Sequence, residues 1–292
     1  MSWVEISFET HQSQAQSWCD KLEALGAVSV SFYDAGTVPI LEPLPGETPL
    51  WDAAKVVGLF MAADYTISLK ASLQKLLGNI PFQATELAEQ DWTRTWLEHF
   101  KPIQFGQKLW IIPSDSVPPE QDDAIIVKLD PGLAFGTGTH ATTALCLRWL
   151  DANPPLNQTV IDYGCGSGIL GIAALKLGAD HVVGIDYDPQ ALIATHENCL
   201  RNEIPSSQLT ICLPEKQPDD LQAQTVLANI LAKPLISLVS VLTHHCAPNG
   251  NLVMSGLLTN QIDEVRAAYE PFFHIEAVQT EDEWALLWCI KR

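Results

Sequence analysis

The run Asp162-Tyr163-Gly164-Cys165-Gly166-Ser167-Gly168 sets three glycines at alternate positions behind a carboxylate. Glycines so spaced allow a tight turn and a close approach of backbone to a ligand, and the helix that follows presents free N–H groups to an anionic group. Asp186 lies 22 residues after Gly164, at the end of the next apolar run, where a carboxylate can accept hydrogen bonds from both hydroxyls of a ribose. These positions call for a cofactor that carries adenosine. Two more features bear on the chemistry. Asn229 ends the apolar run Val226-Leu227-Ala228, where its amide oxygen can accept a hydrogen bond from an incoming N–H. The segment Asp130 to His140 holds Gly132, Gly136 and Gly138 and leads into an apolar helix with Thr142-Thr143 in its first turn, which Thr139 or His140 can cap.

The glycine pattern alone admits two cofactors, because Gly166, Gly168 and Gly171 also satisfy the dinucleotide spacing Gly-x-Gly-x-x-Gly. In that frame the first glycine comes too late, since the strand ends at Ile161-Asp162 and the turn begins at Gly164, and Asp162 has no role. With S-adenosylmethionine as cofactor, Asp162 stands just before the loop, where it can hold the cationic methionine amino group. Asn229-Ile230-Leu231-Ala232 resembles the Asn/Asp-Pro-Pro-Tyr element of methyltransferases that modify nitrogen. The plainer alternative is a strand-end turn asparagine. Cys165 and Tyr163 are expected to tolerate substitution, because such a loop works through its backbone.

Composition bounds the remaining possibilities. At 292 residues and 47% apolar content, the chain has material for two domains with a core in each. The amino terminus carries Glu5 and Glu9 where a signal peptide would have basic and then apolar residues, and no apolar stretch has membrane-spanning length, so a cytoplasmic protein is expected. Seven scattered cysteines without a Cys-x-x-Cys pair point to reduced thiols and away from a disulfide frame or zinc site. His244 and His245 would point about 100° apart on a helix, too far apart to chelate one ion. No metal is expected. The net charge of -19 repels nucleic-acid backbones and attracts basic partners, although acidity also serves solubility alone.

The elements that position these residues are read from periodicity. Val4, Ile6 and Phe8 alternate as in a half-buried strand, a helix over about Ser13 to Leu25 carries Trp18, Leu22 and Leu25, and Val28, Val30 and Phe32 alternate again. After a proline-rich loop from Pro39 to Pro49 come a strand at Lys55 to Met61, a helix at about Ser68 to Leu77 and a strand at Phe82 to Ala88. This order is the split ferredoxin-like plan of a small α+β domain over residues 1–90. A connector over 91–106 carries Trp92 and Trp96 one helical turn apart, indoles read as packing anchors. Over 107–292, short apolar runs alternate with helical patterns, including Ile169 to Leu177, Pro189 to Arg201 and Pro234 to about His244, which is the α/β plan of a doubly wound, Rossmann-like parallel sheet.

The segment from Asp130 to His140 with Thr142-Thr143, the run Val160 to Leu170, Gly184 to Pro189 and Ala228 to Leu231 resemble the bacterial methyltransferases of large-subunit ribosomal protein eleven, the PrmA type. The likeness extends over the whole chain, because Glu42 to Glu47 with Trp51, and Asp91-Trp92, Trp96, Phe100 and Pro102, match that family's first domain and connector. The resemblance implies a ferredoxin-like domain that grips the ribosomal protein and a methyltransferase sheet that acts on lysine side chains and the terminal α-amine. It places cofactor contacts on Thr143, Gly164, Asp186 and Asn229, beside the Asp162, Gly166 and Gly168 read from the loop itself. A methyltransferase of the same fold acting on another protein or a small molecule is the alternative.

Overall fold

The computed structural model describes residues 2–36, 50–87, 101–130 and 140–292. The proline-rich loop, the indoles Trp92 and Trp96, and the glycines Gly132, Gly136 and Gly138 lie outside the described residues. Two compact units, Met1–Thr95 and Trp96–Arg292, make up the chain.

The first unit runs β1 (Trp3–His11), α1 (Gln12–Ala24), β2 (Ser29–Asp34), β3 (Ala53–Met61), α2 (Ile67–Leu77) and β4 (Phe82–Leu87). Its sheet has the order β2-β3-β1-β4 with antiparallel pairing throughout, the arrangement of the split plan. Alternation along β1 sends Val4, Ile6 and Phe8 into one core, where they meet Trp18 and Leu22 of α1 and Leu73 and Leu77 of α2. Burying each of these large side chains contributes roughly 1.5–3 kcal/mol. His11 opens α1 by accepting from the Ser13 N–H, and Thr66 opens α2 by accepting from the Leu69 N–H.

The second unit begins with a small sheet, β5 (Ile103–Phe105), β6 (Leu109–Ile112) and β7 (Ile125–Lys128). Then follow α3 (Ala141–Ala152), β8 (Thr159–Tyr163), α4 (Ile169–Lys176), β9 (His181–Ile185), α5 (Pro189–Arg201), β10 (Leu209–Cys212) and β11 (Ala223–Asn229). The chain ends with α6 (Ala232–Ser237), α7 (Val239–His245), β12 (Cys246–Leu258), α8 (Ile262–Tyr269), β13 (Phe273–Glu281) and β14 (Trp284–Lys291). The seven large-sheet strands lie in the order β10-β9-β8-β11-β12-β14-β13, and the two faces carry separate cores. Val160, Leu227 and Val253 face α3 and α4, while Ile161, Val226 and Met254 face the side of Leu235, Leu242 and Tyr269.

Two details depart from the sequence reading. The sheet is not wholly parallel, because β14 runs antiparallel to both β12 and β13. Only Asp282 and Glu283 separate β13 from β14, and a return in the same direction needs a dozen residues or more. The helix expected from Pro234 to His244 is two helices meeting at Leu238. Ser237 donates its hydroxyl to the Pro234 carbonyl at 2.9 Å, a side-chain bond that competes with the continuing helix.

Candidate active site

The turn from β8 into α4 places Gly164, Gly166 and Gly168 at φ of 78°, 54° and 77°, where a side chain is strained. Space is closed as well. A Cβ on Gly164 would run into Ile230 Cγ2, and one on Gly168 would come within 2.7 Å of Thr195 Cγ2. The N–H groups of Gly164 and Cys165 both donate to the Ile185 carbonyl, at 2.7 and 3.1 Å, so the turn hangs from the end of β9. Cys165 is buried, with its Sγ 3.4 Å from where a Cβ on Gly184 would lie.

Asp186 follows β9 and is nearly buried. Its Oδ2 accepts from the Gly166 N–H at 2.9 Å and its Oδ1 from the Asp188 N–H at 3.0 Å. A carboxylate offers about four lone-pair positions, so capacity for two hydroxyl donors remains. Asp162 sits beneath the turn, 2% exposed, with Oδ2 accepting from the Gly171 N–H at 2.9 Å in the first turn of α4. Desolvation pushes its carboxyl up to about 7; the Gly171 bond opposes this and the charge of Asp186 adds to it. A cation placed close by would favour the charged form again.

Asn229 ends β11, the neighbour of β8 in the sheet, with Ala228 opposite Tyr163. Its Nδ2 donates to Thr143 Oγ1 at 3.2 Å, which leaves Oδ1 without a hydrogen-bond partner among the described residues. Thr143 is buried in the first turn of α3. That turn is capped by His140, whose Nδ1 accepts from the Thr142 N–H and whose ring meets Trp284 edge-on at 4.8 Å between centroids. Asp130 is held by Arg201 at 3.2 Å and accepts from the Ser114 N–H at 2.8 Å.

The structure thus gathers Asp162, Gly164, Gly166, Gly168, Asp186, Asn229 and Thr143 where β8, β9 and β11 end and α3 begins. Ligands of doubly wound sheets bind at this edge, beside the point where strand order reverses. The sequence reading gave Ile230 no role of its own beyond its place in the Asn229 segment and passed over Gly256, Thr195 and Asn198. Gly256, at φ 86°, lies so close to Ile230 that any Cβ would overlap the Ile230 carbonyl oxygen. Thr195 donates to the Gly166 carbonyl at 3.0 Å and Asn198 to the Ser167 carbonyl at 2.8 Å. The available signal was polar side chains at the i+4 and i+7 positions after buried Ala191, on the inner face of α5.

Among the described residues no group of three or more His, Cys, Asp or Glu could hold a metal ion. His244 and His245 instead bond to the backbone carbonyls of Asp219 and Leu221. A cavity of about 430 Å³ at α8 and β13, bounded by Arg266, Glu270, His274 and Arg292, lies three strands from β11 and takes no part in this site.

A family model described as "Ribosomal protein L11 methyltransferase (PrmA)" matches residues 2–292. A ribosomal protein L11 methyltransferase of Aliivibrio salmonicida is 47% identical over 296 residues, covering 100% of both chains. Another, from Pseudoalteromonas atlantica, is 48% identical over 289 residues and 98% of each chain. The crystal structure of a ribosomal protein L11 methylase from Lactobacillus delbrueckii subsp. bulgaricus superposes with a TM-score of 0.59 at 32% identity, covering 66% of this chain and 100% of that one. With its sheet order, its glycine turn and a match along almost its whole length, the chain belongs to the ribosomal protein L11 methyltransferase (PrmA) family.

Proposed function

We propose that the protein transfers methyl groups from S-adenosylmethionine to lysine side-chain and N-terminal amines of ribosomal protein L11. The observation that carries this reading is the geometry of Asn229, whose amide nitrogen is engaged by Thr143 while its oxygen is left as an acceptor beside the glycine turn. An acceptor there can take an N–H of the substrate amine and direct the nitrogen lone pair towards the donor. The relatives named as ribosomal protein L11 methyltransferases support the substrate.

When bound, S-adenosylmethionine would supply a methyl group on a sulfonium sulfur: the amine nitrogen would bond the methyl carbon as the carbon–sulfur bond breaks, and the neutral thioether, S-adenosylhomocysteine, would leave. The residues present fit such a molecule. Asp186 is placed to accept from ribose hydroxyls, Gly164 and Gly168 leave the turn without side chains where backbone must approach closely, and the buried Asp162 supplies negative charge for the methionine amino group. The work of the chain is positioning and electrostatics. A lysine amine has an unperturbed pKa near 10.4 and must lose its proton before attack. Release to water fulfils this without a dedicated base.

In this proposal the first domain, residues 1–90, recognises the substrate, 91–106 connect, and 107–292 carry out the transfer in the cytoplasm. The net charge of -19 suits a basic protein substrate and disfavours direct contact with nucleic acid. Incubation with tritiated S-adenosylmethionine and ribosomal protein L11, followed by intact mass measurement, should show additions of 14 Da steps, about one per methyl group by the chemistry of replacing N–H with N–CH3. Asn229→Ala should lower kcat by about a hundredfold, the scale of a misplaced reacting group. An unchanged rate would remove the orienting role.

A further inference from the structure

The glycine turn is held from behind as well as from the sheet. Two successive carbonyls, those of Gly166 and Ser167, turn towards α5, and each meets a side-chain donor there: Thr195 Oγ1 at 3.0 Å and Asn198 Nδ2 at 2.8 Å. Both donors are buried, at 2% and 6% exposure, on a helix face shared with Ala191 and Cys199. The methyl of Thr195 also closes the space beneath Gly168. Asn198 is itself fixed, since its Oδ1 accepts from Arg201 and its carbonyl accepts from the Asn202 side chain at 2.8 Å.

We infer that Thr195 and Asn198 are positioning residues that set the shape of the cofactor turn, and through it the direction of the Asp186 carboxylate. A peptide unit is planar, so a held carbonyl fixes the N–H of the next residue as well. The Thr195 and Asn198 bonds therefore orient two consecutive peptide planes of a glycine-rich segment that has little stiffness of its own. Gly166 sits at the junction: its carbonyl is held by Thr195, and its N–H donates to Asp186 Oδ2 at 2.9 Å. The turn, the carboxylate and the inner face of α5 form one hydrogen-bonded unit. Loss of either donor removes a hydrogen bond from the turn and loosens a peptide plane that must then be ordered when the ligand binds.

This rests on the assignment of the turn and Asp186 to S-adenosylmethionine, and the experiment separates the two. In the full-length protein, calorimetric titration with S-adenosylhomocysteine is paired with methyl-transfer kinetics and melting temperatures. Thr195→Val and Asn198→Asp keep the side-chain shape and remove the donor. Each should weaken binding by about three- to tenfold, the scale of one net hydrogen bond. Each should also raise the KM for S-adenosylmethionine by the same factor, with kcat at saturation little changed. Thr195→Ser, which restores the hydroxyl, should recover most of the affinity. Asp186→Ala tests the underlying assignment: unchanged affinity in that variant overturns the site itself. If Asp186→Ala weakens binding while Thr195→Val and Asn198→Asp bind like the parent protein, whatever their melting temperatures, the two side chains serve stability alone and the inference fails.

Discussion

Thr143 shows how one hydroxyl fixes which end of an amide faces a substrate. Because Thr143 Oγ1 accepts from Asn229 Nδ2, the carbonyl end of the side chain is the one left available. Thr143→Val keeps the shape and removes the acceptor, so the amide can rotate; kcat should fall by about fivefold to tenfold, consistent with one hydrogen bond, with the melting temperature nearly unchanged. Equal kcat in the two proteins would show that Asn229 needs no such partner. Asp162 makes a different prediction, one of pH. Burial raises its carboxyl to about 7, so from about pH 4 to pH 7 the folded chain keeps a proton that the unfolded chain has released, and stability falls as pH rises through that window. Asp162→Asn cannot titrate, so its melting temperature relative to the parent should rise by roughly 5 °C between pH 5 and pH 8, at roughly 2–4 °C per kcal/mol. A constant difference across that range would place the carboxyl near its ordinary value. The type and spacing of Asp162, Asp186 and Asn229 were legible in the sequence. The bond from Asp162 to Gly171 was not, since spacing does not say which backbone N–H one oxygen of a carboxylate before a turn takes up, and only packing decides.

At the scale of elements, the strands and helices that carry the site follow from local patterns, whereas their junctions depend on close approach. Pro189 at the first position of α5, with Asp188 accepting from the Gln190 N–H, marks that helix start in the sequence itself. The reversal of β14 carries no such mark, because Asp282-Glu283 lacks the glycine usual in two-residue hairpin turns even though Asp282 adopts φ 51°. Gly256 was equally silent. It sits in β12, at an irregularity in the pairing with β14, with its Cα against the backbone of Ile230, the residue after Asn229. Gly256→Ala combines a left-handed backbone with an overlap that backbone atoms cannot relieve by changing rotamer. It should cost about 2–4 kcal/mol, and denaturant unfolding would measure the loss. A variant as stable as the parent would mean that the end of β12 shifts freely, and Asn229 with it.

At the scale of the molecule, the two units have separate hydrophobic cores, and every residue carrying chemistry in the proposed reaction belongs to the second. The order of elements in the first unit was legible because apolar residues alternate at Val4, Ile6 and Phe8 of β1, and its helices end at Gly26 and Gly78, both at positive φ. What it binds was not legible from its own pattern, since a four-stranded sheet with two helices serves many purposes. If it supplies recognition and the second unit supplies chemistry, removing residues 1–95 should separate the two functions. The shortened chain should bind S-adenosylhomocysteine with nearly the parent affinity, because the glycine turn, Asp186 and α5 lie in the second unit, while kcat/KM towards ribosomal protein L11 should fall by at least about a hundredfold. That corresponds to about 2.7 kcal/mol of lost transition-state binding. The net charge of -19 adds a second measurable consequence, that salt should raise the KM for the basic protein in the intact chain and leave cofactor affinity little changed, since exposed charges are screened within about 10 Å at 0.1 M salt. Full activity in the shortened chain would transfer recognition to the catalytic unit, and a salt-independent KM would return the acidity to solubility.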